Sequence, residues 1–267
     1  MKVVILCGGK GTRLREETEY RPKPMVPIGT RPILWHIMKT YAHHGHKEFI
    51  LCLGYKGEMI KEYFRNYLWN TCDITLRLGR NSDLQFHNNH DEEDWSVTLA
   101  DTGENAMTAY RIKLIERYLG SDERFLLTYG DGVGDIDINA SVAHHRRTGK
   151  TCTLTAVHPP GRFGELGLAV DSTIQSFNEK PQAEGGYING GYMVCERSIF
   201  DHLPADPTMM LEQAPLKNLA AAGQLGAYCH DGFWQPMDTF QEASLLNKLW
   251  SENRAPWKVW PTPADRT

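Results

Sequence analysis

The chain has 267 residues and a mass of 30.3 kDa, which is long enough to bury a substantial core as one large domain or as one domain with an appendage. Its formal net charge of −4 and its pI near 6.3 argue against a general nucleic-acid-binding protein, because such proteins carry an excess of Lys and Arg. The six cysteines are spread singly with no C-x-x-C pair, which predicts reduced thiols rather than a disulfide framework or a zinc site.

The apolar runs of the chain are short, and none approaches the roughly 20 residues that a membrane-spanning helix needs. Lys10 and Arg13 interrupt the first apolar run after a few residues, which is unlike the apolar segment of a secretory signal. We therefore expect a cytoplasmic protein that has neither a membrane nor a nucleic acid among its partners.

The first predicted element is a buried strand, formed by an apolar run at residues 1–7 that leads directly into a glycine-rich segment at residues 8–14. The three glycines of this segment lack the Cβ atoms that would keep a ligand away from the backbone, so successive N–H groups can converge on an anion. Lys10, Arg13 and Lys23 add positive charges near it. The segment therefore predicts a phosphate-binding loop, with a simple tight turn as the alternative.

Two better-known glycine loops do not fit this segment. A dinucleotide-binding fingerprint needs a third glycine where Leu14 stands. A Walker A loop needs Gly-Lys followed by Ser or Thr, which the order Gly11-Thr12-Arg13 does not supply. If the loop holds phosphate, it does so without either of these two templates.

Strand-like and helix-like patterns alternate along the next part of the chain. Apolar runs predict strands at residues 48–53, 74–78, 95–100, 125–129 and 151–157. Apolar side chains at helical spacing predict helices at residues 59–68 and 105–119, and an earlier helix that opens near residue 30 and ends at Gly45. This alternation predicts an α/β fold with a Rossmann-like, mostly parallel central sheet and helices on both faces.

The pattern changes after residue 157. Pro159-Pro160-Gly161 breaks the chain, residues 166–170 and 174–177 are typical of a hairpin, and residues 190–195 predict one more strand. A final helix is predicted around Leu245 to Trp250. The second part of the chain is therefore expected to be smaller and mixed rather than parallel.

Two aspartates are candidate metal ligands. Ligands of open α/β sheets lie beyond the carboxyl ends of the strands, and Asp131 follows the predicted strand 125–129 between two glycines. A carboxylate there can bind a hard cation, and a metal that is bound to phosphates takes only one or two protein carboxylates. Asp238 precedes the final helix and is the second candidate. The alternative interpretation of Asp238 is an ordinary helix N-cap.

Several motifs resemble those of sugar-1-phosphate nucleotidylyltransferases. They are G-G-K-G-T-R-L at residues 8–14, R-P-K-P-M at residues 21–25, F-N-E-K-P at residues 177–181 and N-G-G-Y at residues 189–192. Within this family, the chain closely resembles the branch that uses CTP and glucose 1-phosphate. The motifs of that branch are found at residues 128–133, 159–164, 232–239 and 255–258. The resemblance covers nearly the whole chain, up to about residue 260.

The resemblance implies a reaction in which CTP and α-D-glucose 1-phosphate give CDP-glucose and pyrophosphate, with Mg²⁺ as the cofactor. It also implies a homo-oligomer, which by family resemblance is a hexamer. Residues 1–150 would form the nucleotide-binding half of a single nucleotidyltransferase domain that spans residues 1–267. Residues 151–267 would form its sugar-binding half and the C-terminal helix.

The resemblance further implies the roles of individual residues. The catalytic residues would be Arg13, Lys23 and Asp131, and the metal would be bound by Asp131 and Asp238. The residues implied to bind the nucleotide are Leu6, Cys7, Gly8, Gly9, Lys10, Gly11, Thr12, Arg13, Lys23, Gly103, Ala106, Arg111 and Asp131. The residues implied to bind the sugar phosphate are Glu179, Lys180, Asn189, Gly190 and Gly191.

One departure from the family pattern bears on the choice of base. Ala109 and Tyr110 stand where the family carries two glycines, and side chains there would block the approach of the backbone to the base or stack on the base. A thymidylyl- or uridylyltransferase for the same sugar phosphate is therefore an alternative. The other alternative is a non-catalytic sugar-nucleotide-binding regulatory protein, which would be expected to lack some of the charged residues present here.

Overall fold

A central sheet of seven strands organises the fold. The computed structural model of the chain describes residues 1–79, 83–87, 94–159, 165–168, 174–178 and 186–261. The strands in these ranges are β1 (Val3–Leu6), β2 (Pro27–Ile28), β3 (Arg31–Pro32), β4 (Glu48–Leu53), β5 (Asp73–Leu76), β6 (Leu84–His87), β7 (Ser96–Asp101), β8 (Arg124–Tyr129), β9 (Gly132–Gly134), β10 (Cys152–Val157), β11 (Glu165–Leu168), β12 (Ile174–Asn178), β13 (Ile188–Glu196), β14 (Leu225–His230) and β15 (Trp234–Pro236). The helices are α1 (Arg15–Thr18), α2 (Ile33–His43), α3 (Gly57–Arg65), α4 (Tyr67–Thr71), α5 (Thr108–Ile115), α6 (Ile138–Thr148), α7 (Ala214–Ala221) and α8 (Phe240–Ser251). Short 3-10 helices lie at Lys23–Met25, Glu116–Tyr118 and Arg197–His202.

The central sheet is mostly parallel. Its strand order is β14-β10-β13-β8-β1-β4-β7, and β1 pairs in parallel with both β4 and β8. The parallel array continues from β4 to β7, and β10 pairs in parallel with β14. Of these seven strands, only β13 runs against its neighbours β8 and β10. The predicted mostly parallel sheet is confirmed, and strands from both parts of the chain share it.

Helices cover both faces of this sheet. In β1, Val3 and Ile5 face one hydrophobic core while Val4 and Leu6 face the other, because successive side chains of a strand point to opposite sides. Residues of α2 and α8 belong to the first core, and residues of α5 and α7 belong to the second. The prediction of helices on both faces is therefore confirmed.

Two predicted elements differ from the structure. The predicted helix 59–68 is divided into α3 and α4, with Asn66 between them. The predicted strand 74–78 does not join the central sheet, because β5 pairs with β6 as a separate antiparallel hairpin. Most side chains of β5 and β6 are exposed, so the apolar run at residues 74–78 does not indicate a buried strand. The one predicted hairpin, at residues 166–170 and 174–177, is confirmed by the antiparallel pairing of β11 with β12.

Several elements lie where no pattern predicts them, among them β14, α7, β9 and β15. The strand β14 is at an edge of the central sheet, and its half-buried and exposed side chains carry a weak apolar signal. The helix α7 follows a turn and has no motif of its own. The strands β9 and β15 have three residues each, which is too short for a periodic pattern. Their antiparallel pairing nonetheless positions both candidate aspartates.

The six cysteines are all free thiols. Four of them are buried, whereas Cys72 is half-buried and Cys229 is exposed. Within the described ranges, no helix has the length and apolar character needed to cross a bilayer.

The C-terminal segment is held by an aromatic cluster around His36. The rings of Trp250, Trp257 and Trp260 lie with their centroids 4.6 to 6.2 Å from the imidazole. Trp257 Nε1 donates to His36 Nδ1 at 3.3 Å, and His36 Nε2 donates to the Ile28 carbonyl at 3.1 Å. The neutral imidazole thus uses both ring nitrogens, and burial lowers the pKa of His36 to about 4.

We expect the stability of the fold to decrease at acidic pH because of His36. In the unfolded chain the pKa of histidine is about 6.5, so below that pH the unfolded state binds a proton that the folded state takes up only near pH 4. This difference lowers the free energy of unfolding by about 2 kcal/mol between pH 7.5 and pH 5. Urea unfolding at both pH values measures it. The variant His36→Gln keeps a hydrogen-bond donor and an acceptor at this position but does not titrate. Between pH 7.5 and pH 5, its free energy of unfolding should therefore fall by about 2 kcal/mol less than that of the wild type. Equal losses in the two proteins would contradict this assignment.

Candidate active site

The glycine-rich loop lies at the carboxyl end of β1, between the ends of β4 and β8. Two of its glycines have opposite surroundings. Gly9 faces open space, so the backbone there is accessible to a ligand. A Cβ on Gly8 would lie 2.3 Å from the guanidinium of Arg111. A side chain at Gly8 would therefore clash with an arginine, whereas a side chain at Gly9 would enter open space, and phosphate binding by the loop stays a prediction.

The guanidinium of Arg111 joins three loops. Its Nη1 donates to the carbonyls of Leu53 at 2.9 Å and Gly103 at 2.8 Å, and to Thr102 Oγ1 at 2.7 Å. Its Nη2 donates to the Gly8 carbonyl at 3.0 Å. These acceptors lie at the ends of β1, β4 and β7, so one buried side chain fixes the segments that form a wall of the cleft.

A cavity of about 290 Å³ opens beside the glycine loop. The predicted nucleotide-site residues that line it are Leu6, Cys7, Gly8, Gly9, Gly11, Thr12, Arg13, Lys23, Ala106, Arg111 and Asp131. Lys10 lines a neighbouring depression together with Tyr55 and Glu19 instead. Gly103 is outside the lining, and its carbonyl holds Arg111. The structure therefore brings most, but not all, of the predicted nucleotide-site residues to one cleft.

The departure from the family pattern at Ala109 and Tyr110 does not reach this cleft. Ala109 is fully buried in the second core, and its N–H donates to the Met209 carbonyl at 3.2 Å. Neither side chain lines the cavity. Neither side chain is therefore placed to contact a ligand inside this cavity, and their effect on the choice of base stays a prediction.

The charge of the cleft is centred on Lys23. Its Nζ donates to Asp131 Oδ2 at 2.8 Å and also to Asp238 Oδ1, while Arg13 Nη1 pairs with Asp238 Oδ2 at 2.7 Å. The side chains of Lys23 and Asp238 are only 10% and 12% exposed, so water and salt screen their ion pair weakly. Burial alone would lower the pKa of Lys23, but the two carboxylates outweigh it and raise the pKa above its ordinary value. The ammonium therefore stays charged.

The two aspartates meet because β9 pairs with β15. Asp131 directly precedes β9, and Asp238 follows β15 after Met237. The two strands are antiparallel, and the Met237 N–H donates to the Asp131 carbonyl at 2.8 Å. Two residues far apart in the sequence are therefore fixed side by side at the carboxyl edge of the sheet.

Asp238 does not cap the final helix. The N-cap of α8 is Thr239, whose Oγ1 accepts from the Glu242 N–H at 3.3 Å. Glu242 in return accepts from the Thr239 N–H at 2.8 Å, which completes a capping box. The N-cap interpretation of Asp238 is therefore wrong, and its carboxylate is left to pair with Lys23 and Arg13.

Asp131 and Asp238 fit a metal that is also bound to phosphate. One oxygen of each carboxylate contacts the same Lys23 Nζ, so both carboxylates are within reach of a single ion. Mg²⁺ commonly takes one or two protein carboxylates together with waters and substrate phosphates. Across the described ranges, no group of three or more His, Cys, Asp and Glu side chains forms an all-protein metal site.

The strand β13 presents part of the predicted sugar-phosphate site. Asn189 is exposed, and its Oδ1 accepts from the Gly191 N–H at 2.9 Å. Gly191 has a φ of +81°, and a Cβ there would lie 2.5 Å from the ring of Tyr129. Only glycine lets the strand pass that ring in this conformation. Gly190 is buried beneath this surface.

Two predicted sugar-phosphate residues, Glu179 and Lys180, lie outside the described residues. The structure adds two polar residues near the cleft that no motif indicates, Thr108 and Glu212. The hydroxyls of Thr108 and Tyr129 both donate to the Glu212 carboxylate. These three residues come from separate parts of the chain, so no local pattern of the sequence could have joined them.

The fold and the cleft agree with a sequence match to a known protein family, which extends over most of the chain. The sequence profile of the family described as "Nucleotidyl transferase" matches residues 2–246, and the chain belongs to that family.

Individual relatives are similar over their whole length. The chain is 51% identical over 260 residues to glucose-1-phosphate cytidylyltransferase of Salmonella typhimurium, with 97% of this chain and 100% of the relative covered. It is 45% identical to a protein of Bacillus subtilis named "probable glucose-1-phosphate cytidylyltransferase", again with 97% and 100% covered. The solved structure of HddC from Yersinia pseudotuberculosis has a TM-score of 0.67 at 22% identity and covers 93% of this chain and 99% of that chain. This last likeness shows a shared fold.

Alanine substitutions at Gly8 and at Gly9 should distinguish the packing role of one glycine from the ligand-binding role of the other. Gly8→Ala pushes a methyl group against the buried Arg111 guanidinium and should lower the free energy of unfolding by about 1 to 3 kcal/mol. Gly9→Ala meets no atom within 4 Å, so its unfolding free energy should stay within about 0.5 kcal/mol of the wild type. We expect Gly9→Ala to weaken nucleoside triphosphate binding instead, because its methyl group stands where a phosphate would approach the backbone.

Urea unfolding and isothermal titration with a nucleoside triphosphate measure the two effects. A Gly8→Ala protein as stable as the wild type would refute the packing role of Gly8. A Gly9→Ala protein with unchanged nucleotide affinity would refute the phosphate-facing role of Gly9.

Proposed function

We propose that the chain transfers CMP from CTP to α-D-glucose 1-phosphate and releases pyrophosphate. The observation that carries this proposal is the meeting of Lys23, Asp131 and Asp238 beside the glycine loop, in a chain that is 51% identical to a glucose-1-phosphate cytidylyltransferase. Residues 1–150 would supply the nucleotide-binding half, and residues 151–267 the sugar-binding half. We also infer that the protein works in the cytoplasm and supplies CDP-glucose for CDP-linked deoxysugars, such as those of lipopolysaccharide O-antigen.

The proposed reaction requires charge neutralisation more than proton transfer. A phosphate oxygen of the sugar phosphate attacks the α-phosphorus of CTP in line, and the bond from that phosphorus to the departing pyrophosphate oxygen breaks. The nucleophile is already ionised near pH 7, so no general base is needed. The chain must instead hold two mutually repelling anions together and stabilise the charge that develops on pyrophosphate.

The residues of the cleft supply that neutralisation. Lys23 would leave its two carboxylate partners and donate to the phosphates, and Arg13 would turn from Asp238 toward the same charge. The backbone N–H groups around Gly9 would bind the triphosphate oxygens. Mg²⁺, held by Asp131 and Asp238, would supply further electrostatic stabilisation of the phosphate oxygens.

The alternative of a non-catalytic regulatory protein is disfavoured by the composition of the cleft. Such a protein could lose charged residues without penalty, whereas Arg13, Lys23, Asp131 and Asp238 are all present and in contact with one another. A thymidylyl- or uridylyltransferase would use the same charged residues. It differs only in the base that the cleft prefers, and so the choice of nucleotide needs its own experiment.

A homo-oligomer is also part of the proposal. Leu68 and Trp69 of α4 and Leu76 and Leu84 of the β5–β6 hairpin are 42% to 51% exposed. Large apolar side chains that lie exposed on neighbouring elements are typical of a contact surface. We infer that a second copy of this chain covers them, while the hexamer stays a prediction from the family resemblance.

Pyrophosphate release from a panel of nucleotides tests the proposed function. CTP, UTP, dTTP and GTP are each incubated with glucose 1-phosphate and Mg²⁺, with reactions lacking the sugar phosphate as controls. We expect CTP to give a kcat/KM at least about a hundredfold above the others, because a site built to hydrogen-bond one base edge rejects a base that leaves its polar groups unpaired. A higher value for UTP or dTTP would overturn the base assignment. Release from none of the four would overturn catalysis and leave the regulatory alternative.

A further inference from the structure

Two hydroxyl groups of the nucleotide cleft share one carboxylate. Tyr129 Oη donates to Oε1 of Glu212, and Thr108 Oγ1 donates to Oε2 of the same carboxylate at 3.1 Å. Tyr129 and Thr108 line the cavity, whereas Glu212 is half-buried and lies outside the lining. A ligand in the cavity therefore meets the two hydroxyl groups rather than the carboxylate that holds them.

The backbone holds Glu212 in this position. The N–H groups on either side of Thr108 donate to the carbonyls of Pro207 at 2.8 Å and Met209 at 3.2 Å. These bonds tie the segment that precedes Glu212 to the start of α5. Since Thr108 lies between them, its hydroxyl group and the Glu212 carboxylate are fixed relative to each other.

The carboxylate determines what the two hydroxyl groups can offer a ligand. An ionised carboxylate accepts hydrogen bonds and donates none, so both hydroxyl protons point at Glu212. Thr108 Oγ1 also accepts from the Leu211 N–H at 2.7 Å, which leaves it one lone pair. Burial and the neighbouring Glu212 carboxylate raise the pKa of Tyr129, so its hydroxyl group keeps its proton. Toward a ligand, both oxygens can therefore only accept.

Acceptors of this kind suit a base better than a phosphate. A phosphate oxygen also accepts, so it gains nothing from them, and the phosphates are expected beside Lys23 instead. Met107 is 45% exposed, lines the same cavity and offers an apolar surface to the face of a ring. Arg111 lies there too, but both of its Nη atoms donate to carbonyls of the chain itself. The hydroxyl oxygens of Thr108 and Tyr129 are therefore available to a donor on the base.

Two acceptors on one carboxylate match the edge of cytosine. The 4-amino group of cytosine carries two N–H donors, whereas thymine and uracil carry a carbonyl oxygen at the same position. That oxygen can only accept, so it would leave the hydroxyl oxygens without a hydrogen-bond partner. Discrimination against uracil and thymine therefore depends on keeping both hydroxyl protons turned away from the base.

We propose that Glu212 is a positioning residue that fixes the hydroxyl groups of Thr108 and Tyr129 as acceptors for the 4-amino group of cytosine. It thereby sets the preference for CTP over UTP and dTTP. This inference rests on the proposed function, because it gives a structural basis for the nucleotide that the proposed reaction uses.

Initial rates of Glu212→Gln with CTP and with UTP, each with glucose 1-phosphate, test the inference. The amide of Gln has one acceptor oxygen where the carboxylate has two, so one hydroxyl group must accept from its NH2 and turn its own proton elsewhere. We expect the ratio of kcat/KM for CTP to that for UTP to fall at least about tenfold. The two nucleotides share their ribose and triphosphate, so a change of charge or a disturbed cleft alters both values alike and leaves the ratio unchanged.

A third nucleotide isolates the amino group. It is the triphosphate of the pyrimidin-2-one riboside, which is cytidine without its 4-amino group. The wild type should use it at least about tenfold less well than CTP, and Glu212→Gln should narrow this difference. Thr108→Val removes one acceptor with little change of shape, so it should narrow the difference as well, and it decides the inference if Glu212→Gln does not fold.

Glu123→Gln is the matched control. It makes the same chemical change on an exposed side chain that directly precedes β8. Its ratios among the three nucleotides should equal those of the wild type.

The inference is overturned if Glu212→Gln keeps the wild-type ratio of CTP to UTP, or if Thr108→Val keeps the full difference between CTP and its analogue. A loss of the same factor with both nucleotides would assign the two hydroxyl groups to the ribose or to packing. Failure of the proposed function gives a different result, because the wild type would then release no pyrophosphate or prefer another nucleotide. A preference for another nucleotide refutes both. Without turnover, calorimetric titration of CTP and UTP decides the inference, and an equal ratio of affinities in the wild type and Glu212→Gln, or no binding, refutes it.

Discussion

The ammonium of Lys23 lies between two carboxylates that would otherwise repel each other. Two unit charges 4 Å apart interact by about 4 kcal/mol at the effective dielectric found near a protein surface, so a cation between Asp131 and Asp238 offsets a substantial repulsion. Lys23 supplies that cation, and Arg13 neutralises the outer oxygen of Asp238. In the proposed reaction the partners are exchanged, because the aspartates would turn to a divalent metal and the two basic side chains to phosphate.

The rest of the architecture holds these charges in place. The parallel strands bring the glycine loop and Asp131 to one edge of the sheet, and the pairing of β9 with β15 adds Asp238. The capping box of α8 satisfies the start of that helix without the Asp238 carboxylate. Arg111 hydrogen-bonds to the loops on the other side of the cleft and so joins their backbones to one another. The proposed chemistry therefore draws on contacts distributed over most of the fold.

The sequence predicts the parts of this arrangement that depend on local patterns. Alternating apolar runs and helical spacings predict the mostly parallel sheet, and the position of Asp131 after β8 predicts a place at its ligand-binding edge. Local patterns do not show why Gly8 is a glycine, since the reason is Arg111, which reaches it from α5. They also leave the role of Asp238 open, because an aspartate before a helix fits an N-cap as well as a metal site. No local sequence pattern indicates that Glu212 lies near the cleft, because its hydrogen-bond partners are on α5 and β8, far from it in the sequence.

The exchange of partners at Lys23 is tested most directly by Mn²⁺ binding, measured by electron paramagnetic resonance, with Mn²⁺ replacing Mg²⁺. While Lys23 and Arg13 neutralise the aspartates, the wild-type protein should bind Mn²⁺ weakly until CTP is added. Lys23→Met removes the competing ammonium, so without CTP it should bind Mn²⁺ at least about tenfold more tightly than the wild type, and it should gain less from CTP. Lys150→Met, at the amino end of β10 where the half-buried lysine donates to the Gly223 carbonyl, should behave as the wild type. Equal Mn²⁺ affinities of Lys23→Met and the wild type without CTP would contradict the account.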